Sequence, residues 1–356
     1  MVYPLCATFP QSRQPVKTTR RTFLQAGSIS AAAAIAGPPF TSLRAPESSG
    51  ERKYRFVQID VFTSRRLEGN ALAVFPDARG LSDNEMQAIA RETNLQETTF
   101  VLPRDPAIER EQGIKVRIFT PEQEIPFGGH PTLGTATVLR NLQTTANKSS
   151  ADERQEIFLD LKVGKIPVAF HTDEIGQIFG EMHQVDPIFG VTHDRATVAA
   201  LTGLRLEDIH EGAPIQTVST GLPFAMVLIK RLAALQSLRP NFKKIEEYFS
   251  REPVLTGFYY LTPDTQDSKI SYRSRALFAD GPGGEDAATG SAAGCATSWL
   301  VRYGLSPSAR TMHIAQGVEM KRPSHIFTHA AKQGDKVTDV RVGGHAVELL
   351  HGEYSL

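Results

Sequence analysis

Cysteine is scarce in this chain, which has only Cys6 and Cys295 among its 356 residues. Cys6 lies in an N-terminal segment that we expect to be removed, so the mature chain would keep Cys295 alone. A single cysteine cannot form an internal disulfide, and the fold must therefore rest on its hydrophobic core even in an oxidising compartment. Cys295 itself lies in an apolar helical pattern, which favours a small core residue.

The chain also lacks an excess of either charge and any long hydrophobic run. Its 39 lysines and arginines equal its 39 aspartates and glutamates, so the charge gives no indication of nucleic acid as a partner. No stretch is apolar for long enough to span a membrane as a permanent helix. The composition is that of an ordinary soluble globular protein, and the length allows two domains, each with its own core.

Several motifs of known chemistry are missing. The sequence contains no Gly-x-Gly-x-x-Gly after a strand, no phosphate-binding loop and no Gly-x-Ser-x-Gly nucleophile turn. His325 and His329 are four residues apart, as zinc ligands can be, but no acidic third ligand accompanies them in a recognisable pattern. We therefore expect neither a metal nor a cofactor.

The N-terminus has the layout of an export signal. Arg20-Arg21 precedes a short, weakly apolar, alanine-rich run that ends in small residues at Ala36. This arginine pair resembles the twin-arginine motif of bacterial export. The alternative is a disordered leader with a chance arginine pair. We favour a signal over residues 1–36, a flexible linker over residues 37–53, and a periplasmic or secreted protein without stable membrane association after cleavage.

Two glycine-rich turns, each running into an apolar helical pattern, are the most informative feature that is present. They cover Pro126–Gly134 and Gly283–Gly294. Glycines let backbone N–H groups converge, and the N-terminus of a helix adds a partial positive charge, so each turn is suited to bind an anion such as a carboxylate. One such turn in each half of the chain predicts a duplicated fold that holds one substrate between its halves.

The strand and helix patterns agree with such a duplication. Each half contains several predicted strands and one apolar helix, so we predict an α/β (α+β) fold of two similar halves, with strands wrapped around a central helix in each. The predicted boundaries are residues 54–175 for the N-terminal domain, 176–345 for the C-terminal domain and 346–351 for a closing strand.

Two residues of the N-terminal half are candidates for acid–base chemistry. Glu97 lies where an apolar helix meets an apolar strand, and burial there would raise its pKa toward neutrality, as a residue that takes and returns a proton requires. On its position alone, a solvated loop glutamate is the more common alternative. His130 directly follows the first glycine pair and could donate a hydrogen bond or move a proton, or it could cap the following helix.

Two further candidates lie in the second glycine-rich turn. Asp286 could orient a substrate amine or hydroxyl, or it could be an ordinary Asx-type turn residue. Ser291 could bind a carboxylate through its N–H and its hydroxyl, or it could be the N-cap of its helix. Each of these candidates is weak when it is taken alone.

Taken together, these segments resemble the PhzF-like family of phenazine-biosynthesis isomerases, which has the diaminopimelate epimerase fold. The likeness runs from about Tyr54 to Leu350. It is carried by the following ordered motifs: Asp60-Val61-Phe62, Leu67-Glu68-Gly69-Asn70, Met86–Glu92, Asn94–Phe100, Arg117–Pro121, Gly129–Gly134, Gly284–Asp286, Ala288–Ala292, Gln316–Met320 and Arg322-Pro323-Ser324.

The resemblance implies two pseudo-symmetric halves, each a curled, mainly antiparallel sheet around a central helix, with the active site between them. It makes Glu97 the acid/base and lets His130 and Asp286 contact the substrate and assist the proton movement. It assigns the substrate carboxylate to three positions: Gly129, Gly290 and Ser291. Family members commonly form homodimers.

The resemblance also excludes one mechanism. Related epimerases of this fold use two cysteines, and the matching positions here are Gly128 and Ala287, so racemisation by a thiol pair is not available. Both positions also depart from the family pattern. Gly128 stands where alanine or cysteine is usual, and Ala287 stands where proline is usual. One carboxylate that removes a proton and returns it elsewhere makes an isomerase instead.

The resulting hypothesis is a cofactor-free isomerase of a small carboxylate. The best-known family substrate is a dihydro-hydroxyanthranilate, a cytoplasmic biosynthetic intermediate that an exported enzyme would not meet, so we expect a different small carboxylate here. The alternative is a periplasmic protein that binds a small carboxylate without catalysis.

Overall fold

The computed structural model describes residues 51–146, 154–252, 254–278 and 284–356. Residues Glu51–Leu356 form one compact unit. The predicted signal over residues 1–36 and most of the predicted linker lie outside the described residues. Within the described part of the chain, no helix is both long and apolar enough to cross a membrane.

The strands follow one another throughout the unit. They are β1 (Lys53–Val61), β2 (Asn70–Phe75), β3 (Glu97–Val101), β4 (Ile114–Phe119), β5 (Glu124–Ile125), β6 (Arg154–Leu161), β7 (Gly164–Thr172), β8 (Ile178–His183), β9 (Ile188–Thr192), β10 (Gln216–Ser219), β11 (Pro223–Leu228), β12 (Gly257–Thr262), β13 (Tyr272–Phe278), β14 (Glu285–Asp286), β15 (Met312–Gln316), β16 (Ser324–Gln333), β17 (Lys336–Gly344) and β18 (Ala346–Ser355).

The helices separate these strands. They are α1 (Asp83–Thr93), α2 (Pro106–Gln112), α3 (Gly129–Ala146), α4 (Arg195–Thr202), α5 (Leu232–Gln236), α6 (Phe242–Phe249) and α7 (Gly290–Arg302), with a short 3-10 helix at Leu206–Asp208.

The same order of strand pairing occurs twice. In the first series, β1 pairs antiparallel with β2, β2 parallel with β3, β3 antiparallel with β4, and β4 parallel with β6. In the second series, β10 pairs antiparallel with β11, β11 parallel with β12, β12 antiparallel with β13, and β13 parallel with β15. Strand β8 pairs with both β7 and β17, so the two series are joined along one edge.

Each series encloses one long apolar helix. Helix α3 packs on β1, β2, β6 and β8, and helix α7 packs on β10, β11, β16 and β17. Every residue of α7 from Gly290 to Val301 is buried. A helix that is apolar and small all around can be surrounded by strands, because it has no polar face that must reach water. Residues of α3 and of α7 belong to one continuous hydrophobic core.

The sequence predicts a helix over Asp83–Thr93 that opens with a capping box of Ser82 and Glu85, and α1 forms there. Ser82 accepts from the backbone N–H of Glu85, while the Glu85 carboxylate accepts from the Ser82 N–H, which completes the capping box. Asn94 ends the helix in a left-handed conformation. Because α1 ends there, the chain turns directly into β3, and Glu97 becomes the first residue of that strand.

The central helix of the N-terminal half is longer than predicted. The sequence pattern predicts a helix over Thr132–Asn141, whereas α3 spans Gly129–Ala146 and includes Pro131 in its first turn. Proline is compatible with that turn because its missing N–H would have no partner within the helix. Because of this earlier start, His130 lies in the first turn of α3 and not in a loop.

The end of the chain closes the first series. Strand β18 extends to Ser355, beyond the predicted end at residue 351, and pairs with β1 along its whole length. The proposed division at residues 175 and 176 falls in the turn between β7 and β8, which pair with each other. Helix α2 and strand β9, which the sequence patterns did not predict, are mostly exposed and carry little apolar periodicity.

Candidate active site

One cavity of about 590 Å³ brings all the predicted site residues together. It lies at the N-terminal ends of α3 and α7. Its lining includes every candidate named from the sequence, namely Glu97, Gly129, His130, Asp286, Gly290 and Ser291. These residues are separated by up to 194 positions along the chain, and the pairing of the two strand series brings them together.

The N-termini of α3 and α7 meet directly. A Cβ atom added to Gly129 would lie 2.5 Å from the carbonyl carbon of Gly290 and closer still to the backbone nitrogen of Ser291. Only glycine allows two backbones to approach this closely. The first N–H groups of a helix have no intrahelical partner, and its N-terminus is partly positive. Two converging helix ends are therefore suited to bind an anion.

Glu97 projects from the start of β3 into this cavity. Its side chain is 17 % exposed, so the sequence-based alternative of a solvated loop glutamate is wrong. Burial raises the pKa of Glu97 well above its usual range, and the nearby charges of Asp286 and Glu122 raise it further. A carboxyl group whose neutral form is stabilised in this way holds a proton more readily than an exposed glutamate does, as a group that accepts and returns a proton requires.

His130 faces Glu97. Its Nε2 lies 3.2 Å from Glu97 Oε2, and the ring is almost completely buried. The two atoms are within contact distance but not aligned for a hydrogen bond, and both lack a hydrogen-bond partner among the described residues. Burial lowers the pKa of His130 to about 3, so the imidazole is neutral. The pair has two polar atoms available for a bound molecule.

Asp286 occupies the opposite side of the site in a network of hydrogen bonds. Thr289 Oγ1 and Asn70 Nδ2 donate to its two carboxylate oxygens at 2.7 and 2.6 Å. Burial raises the pKa of Asp286, while the hydrogen bonds from Thr289 and Asn70 act in the opposite direction. Asp286 therefore has a fixed orientation, which an ordinary turn residue would not need.

Thr289 begins helix α7 and is itself held in place. It occupies the N-cap position that the alternative interpretation gave to Ser291, so Ser291 is already inside the helix. Gln316 Nε2 donates to Thr289 Oγ1 and to the backbone oxygen of Asp286, both at 2.9 Å. Tyr259 donates to Gln316 Oε1 at 3.1 Å. This fully buried chain of side chains connects the second turn to β12 and β15.

Sequence reasoning gave no role to Asn70, Thr289 or Gln316. All three lie in motifs that carry the family resemblance, which was a usable signal. Their contacts join strands and turns that are distant in sequence, and periodicity or spacing contains no information on such contacts.

The remainder of the cavity is apolar with an acidic rim. Its apolar wall consists of Ile125, Leu222, Phe224, Phe249, Leu255 and Phe278. The rim contributes the carboxylates of Glu122, Glu124 and Glu246, of which Glu124 is paired with Arg117 and Lys162. No lysine or arginine occurs among the described residues that line the cavity, so the helix N-termini are the groups that can oppose a negative charge there.

Other chemistry-bearing side chains lie outside this cavity. Burial raises the pKa of the Cys295 thiol to about 12, in agreement with a core residue of α7. His325 contacts His313, whereas His329 contacts Asp339. Within the ranges that the structure covers, no three histidine, cysteine or acidic side chains are grouped so that they could hold a metal ion.

The buried imidazole predicts a specific pH dependence of stability. Because the pKa of His130 is lowered in the folded state, its contribution to stability is present above the unfolded pKa of about 6.5 and is lost as the pH falls toward 3. We expect wild type to lose about 2 kcal/mol more than His130→Gln between pH ~7.5 and pH ~5, measured by urea unfolding.

The comparison with His130→Gln isolates this one group. Glu97 and Asp286 have raised pKa values and act in the opposite sense, but they do so in both proteins. His351→Gln, whose side chain is 67 % exposed, is the control and should follow wild type. Parallel pH profiles for wild type and His130→Gln would show that this ring is not buried in its neutral form.

Comparison with known proteins agrees with this fold and cavity. The family described as phenazine biosynthesis-like protein matches residues 59–352. The chain is 33 % identical over 300 residues to the trans-2,3-dihydro-3-hydroxyanthranilate isomerase of Pseudomonas aeruginosa, covering 84 % of this chain and 98 % of that protein. It is 34 % identical over 305 residues to an uncharacterised isomerase of Mesorhizobium japonicum, covering 84 % and 97 %.

Solved structures give the same result. A predicted epimerase from Pseudomonas aeruginosa superposes with a TM-score of 0.71 at 34 % identity, covering 85 % of this chain and 99 % of that one. A PhzF-family protein from Bacillus anthracis superposes with a TM-score of 0.74 at 25 % identity, with the same coverage. A hydroxyproline epimerase from Agrobacterium vitis, at 10 % identity and a TM-score of 0.58, shares the fold alone.

The similarity to these isomerases over most of the chain thus defines an isomerase, with a mixed α/β fold that the hydroxyproline epimerase shares. The chain belongs to the phenazine biosynthesis-like, or PhzF, family of isomerases. The resemblance seen in the sequence motifs is confirmed.

Proposed function

We propose that this protein is a cofactor-independent isomerase that moves a proton within a small carboxylate, with Glu97 as the acid/base. The observation that carries the proposal is the position of Glu97. A buried carboxyl group with a raised pKa faces His130 at the point where two helix N-termini converge. Membership in an isomerase family favours this function over the non-catalytic binding protein considered above.

The proposed reaction has three steps. The N–H groups at Gly129, Gly290 and Ser291 hold the substrate carboxylate. The Glu97 carboxylate removes a proton from a carbon conjugated to that group, and the electron pair of the broken C–H bond moves into the conjugated system, where the nearby dipoles stabilise its charge. Glu97 then returns the proton to another carbon of the same system. The formula is unchanged, so no oxidant or reductant is needed.

His130 and Asp286 would assist without replacing Glu97. A neutral imidazole beside Glu97 can donate a hydrogen bond to the substrate, and Asp286 can orient an amine or hydroxyl group on its other side. Because burial lowers the pKa of His130 to about 3, its ring is a poor base near neutral pH. We therefore propose that Glu97, and not His130, removes the proton from carbon and returns it.

The cavity supports a narrower substrate class. Its wall of aromatic and aliphatic side chains suits an unsaturated or ring-shaped body. The carboxylates of Glu122 and Glu246 and the lack of lysine or arginine in the described lining disfavour a second carboxylate or a phosphate, whereas Glu124 is neutralised by Arg117 and Lys162. We propose a monocarboxylate with an apolar, unsaturated body.

Proton exchange would test the proposal. Purified protein is incubated in D₂O with a dihydro-hydroxyanthranilate and a panel of unsaturated monocarboxylates and matched dicarboxylates, and deuterium uptake at carbon is followed by NMR. We expect uptake or isomerisation with at least one monocarboxylate. Binding without exchange for every compound would contradict the isomerase and support a binding protein.

Two finer features of the architecture belong to the same proposal. The repeated pairing order and the two enclosed helices support two pseudo-symmetric, epimerase-like halves. The division after residue 175 stays a prediction, as does a homodimer.

We further propose that residues 1–36 are a twin-arginine signal and that the enzyme acts in the periplasm or outside the cell. The isomerases of Pseudomonas aeruginosa and Mesorhizobium japonicum match 97–98 % of their own length but 84 % of this chain, and the family match begins at residue 59. Fractionation of cells should find wild type in the periplasm and an Arg20→Lys, Arg21→Lys variant in the cytoplasm. Equal distributions would refute the signal.

A further inference from the structure

Asn70 lies between the two halves of the site and contacts His130 in the first turn of α3, but none of the three residues assigned to the carboxylate. It is the first residue of β2 and is almost completely buried. Its Nδ2 donates to Asp286 Oδ1 at 2.6 Å and to the Ala288 backbone oxygen at 3.0 Å. The same nitrogen lies 3.1 Å from His130 Nδ1. One side-chain amide thus links His130 to Asp286.

These contacts determine which way the amide points. A carboxylate and a backbone carbonyl accept hydrogen bonds and never donate them, so the amide group must present its nitrogen to Asp286 and Ala288. The same nitrogen faces His130 Nδ1 at 3.1 Å, where its two hydrogens are shared among three neighbours. An amide nitrogen cannot accept a hydrogen bond, so a proton on Nδ1 would have no acceptor there, and Nδ1 must be the unprotonated atom of the ring. A neutral imidazole carries one proton, and it must therefore be on Nε2, which is the atom that faces Glu97.

We propose that Asn70 is a positioning residue that selects the Nε2–H tautomer of His130 and fixes the ring relative to Asp286. The inference rests on the proposed function for its catalytic consequence only. With the proton on Nε2, the imidazole can donate to the substrate or to an ionised Glu97, and it cannot accept the proton that Glu97 removes. The tautomer therefore keeps the proton transfer on one group.

The turn that carries Asn70 is fixed from the other half of the fold. The fully buried Asp60 accepts a hydrogen bond from the Leu67 N–H at 2.7 Å and from Arg322 Nη2 at 2.7 Å. Arg322 Nε also donates to the Gly69 backbone oxygen at 2.7 Å. Because the backbone of the turn is held at Leu67 and at Gly69, Asn70 enters β2 in one position. Such rigidity is what the selection of a tautomer requires.

Nitrogen NMR of the histidine side chains tests the proposal in the absence of substrate. The full chain is labelled with ¹⁵N-histidine, and the His130 ring is assigned from the signals missing in His130→Gln. We expect the proton of wild-type His130 on Nε2. In Asn70→Ala, where the donor to Nδ1 is removed, we expect a mixture of the two tautomers.

Asn141→Ala is the matched control. Asn141 Nδ2 donates to Glu348 Oε1 at 2.7 Å, so this substitution also removes a partly buried asparagine that links distant segments, but outside the cavity. We expect it to keep the wild-type tautomer. If Asn70→Ala does not fold, Asn70→Ser gives the same comparison with a smaller cavity. A proton on Nδ1 in wild type, or an unchanged tautomer in both folded Asn70 variants, would overturn the inference.

Kinetics separate this inference from the proposed function. In the exchange assay we expect kcat of Asn70→Ala to fall roughly a hundred-fold with KM changed by less than about three-fold, because the carboxylate site at the helix ends is untouched. If the tautomer is as expected but no carboxylate in the panel exchanges, the proposed function fails while the positioning role of Asn70 stands. If exchange occurs and both Asn70 variants retain wild-type kcat, the positioning role fails alone.

Discussion

Glu97→Gln should reduce proton exchange by a factor of about 10²–10⁴ while leaving substrate binding within a few-fold of wild type. Glutamine has nearly the same shape as glutamate, so the cavity and the contact with His130 are preserved, but an amide cannot accept a proton from carbon. The measurement is deuterium uptake per unit time at saturating substrate, together with a binding constant from calorimetry.

Glu122→Gln is the matched control for this variant. Glu122 lines the same cavity but is exposed, and its charge contributes to the raised pKa of Glu97. Its removal should leave the rate within about ten-fold of wild type and move the acid limb of the pH–rate profile to lower pH. Exchange by Glu97→Gln at more than a tenth of the wild-type rate would exclude Glu97 as the acid/base.

Glu97→Gln, which should lower activity, should raise stability at high pH. The pKa of Glu97 is raised in the folded protein, so its favourable contribution is present below the unfolded pKa and is lost as the pH rises through the folded value. At a pH above the folded pKa of Glu97, wild type therefore carries a buried charge that glutamine does not carry. We expect the less active variant to unfold at a higher urea concentration than wild type at that pH.

Gly129→Ala is the second change for which we expect a large effect, a loss of about 10²–10³ in exchange rate. The added Cβ would overlap backbone atoms of Gly290 and Ser291, which cannot rotate away. Helices α3 and α7 must then move apart, and the N–H groups that hold the carboxylate no longer converge. Overpacking of this kind also costs about 1–3 kcal/mol of stability, measured by urea unfolding.

Gly190→Ala provides the comparison for this variant. A Cβ at Gly190 would meet Thr217 at 3.4 Å, an ordinary contact distance, and the residue lies on β9 outside the cavity. We expect its activity to be unchanged. The anion site would be misassigned if Gly129→Ala bound and exchanged the substrate as wild type does.

The candidate site was accessible from the sequence to different degrees. The two glycine-rich turns predicted an anion site because glycine allows tight turns in which backbone N–H groups converge. Residues of both turns line one cavity. The pKa of Glu97 depends on burial by segments far away in the chain, and its position alone favoured a solvated residue. The family motifs changed that interpretation, since they contain information that a single position lacks.

The elements were predicted where local signals are strong. The capping box at Ser82 and Glu85 and the apolar face of α1 are properties of one segment, and the structure confirms them. The predicted start of α3 was wrong because Pro131 is compatible with a first helical turn, and the predicted end of β18 was wrong because a neighbouring strand extends it. Strand β18 continues to Ser355 because β1 provides hydrogen-bond partners along its length.

The sequence by itself determined the helix signals, the two glycine-rich turns and the family. Tertiary structure alone decided the contact of Gly129 with Ser291, the pairing of Glu97 with His130, and the link from Asn70 to Asp286. The physical reason is range. Capping and turn formation depend on residues a few positions apart, whereas burial, pKa and tautomer depend on which distant segments the two strand series bring together.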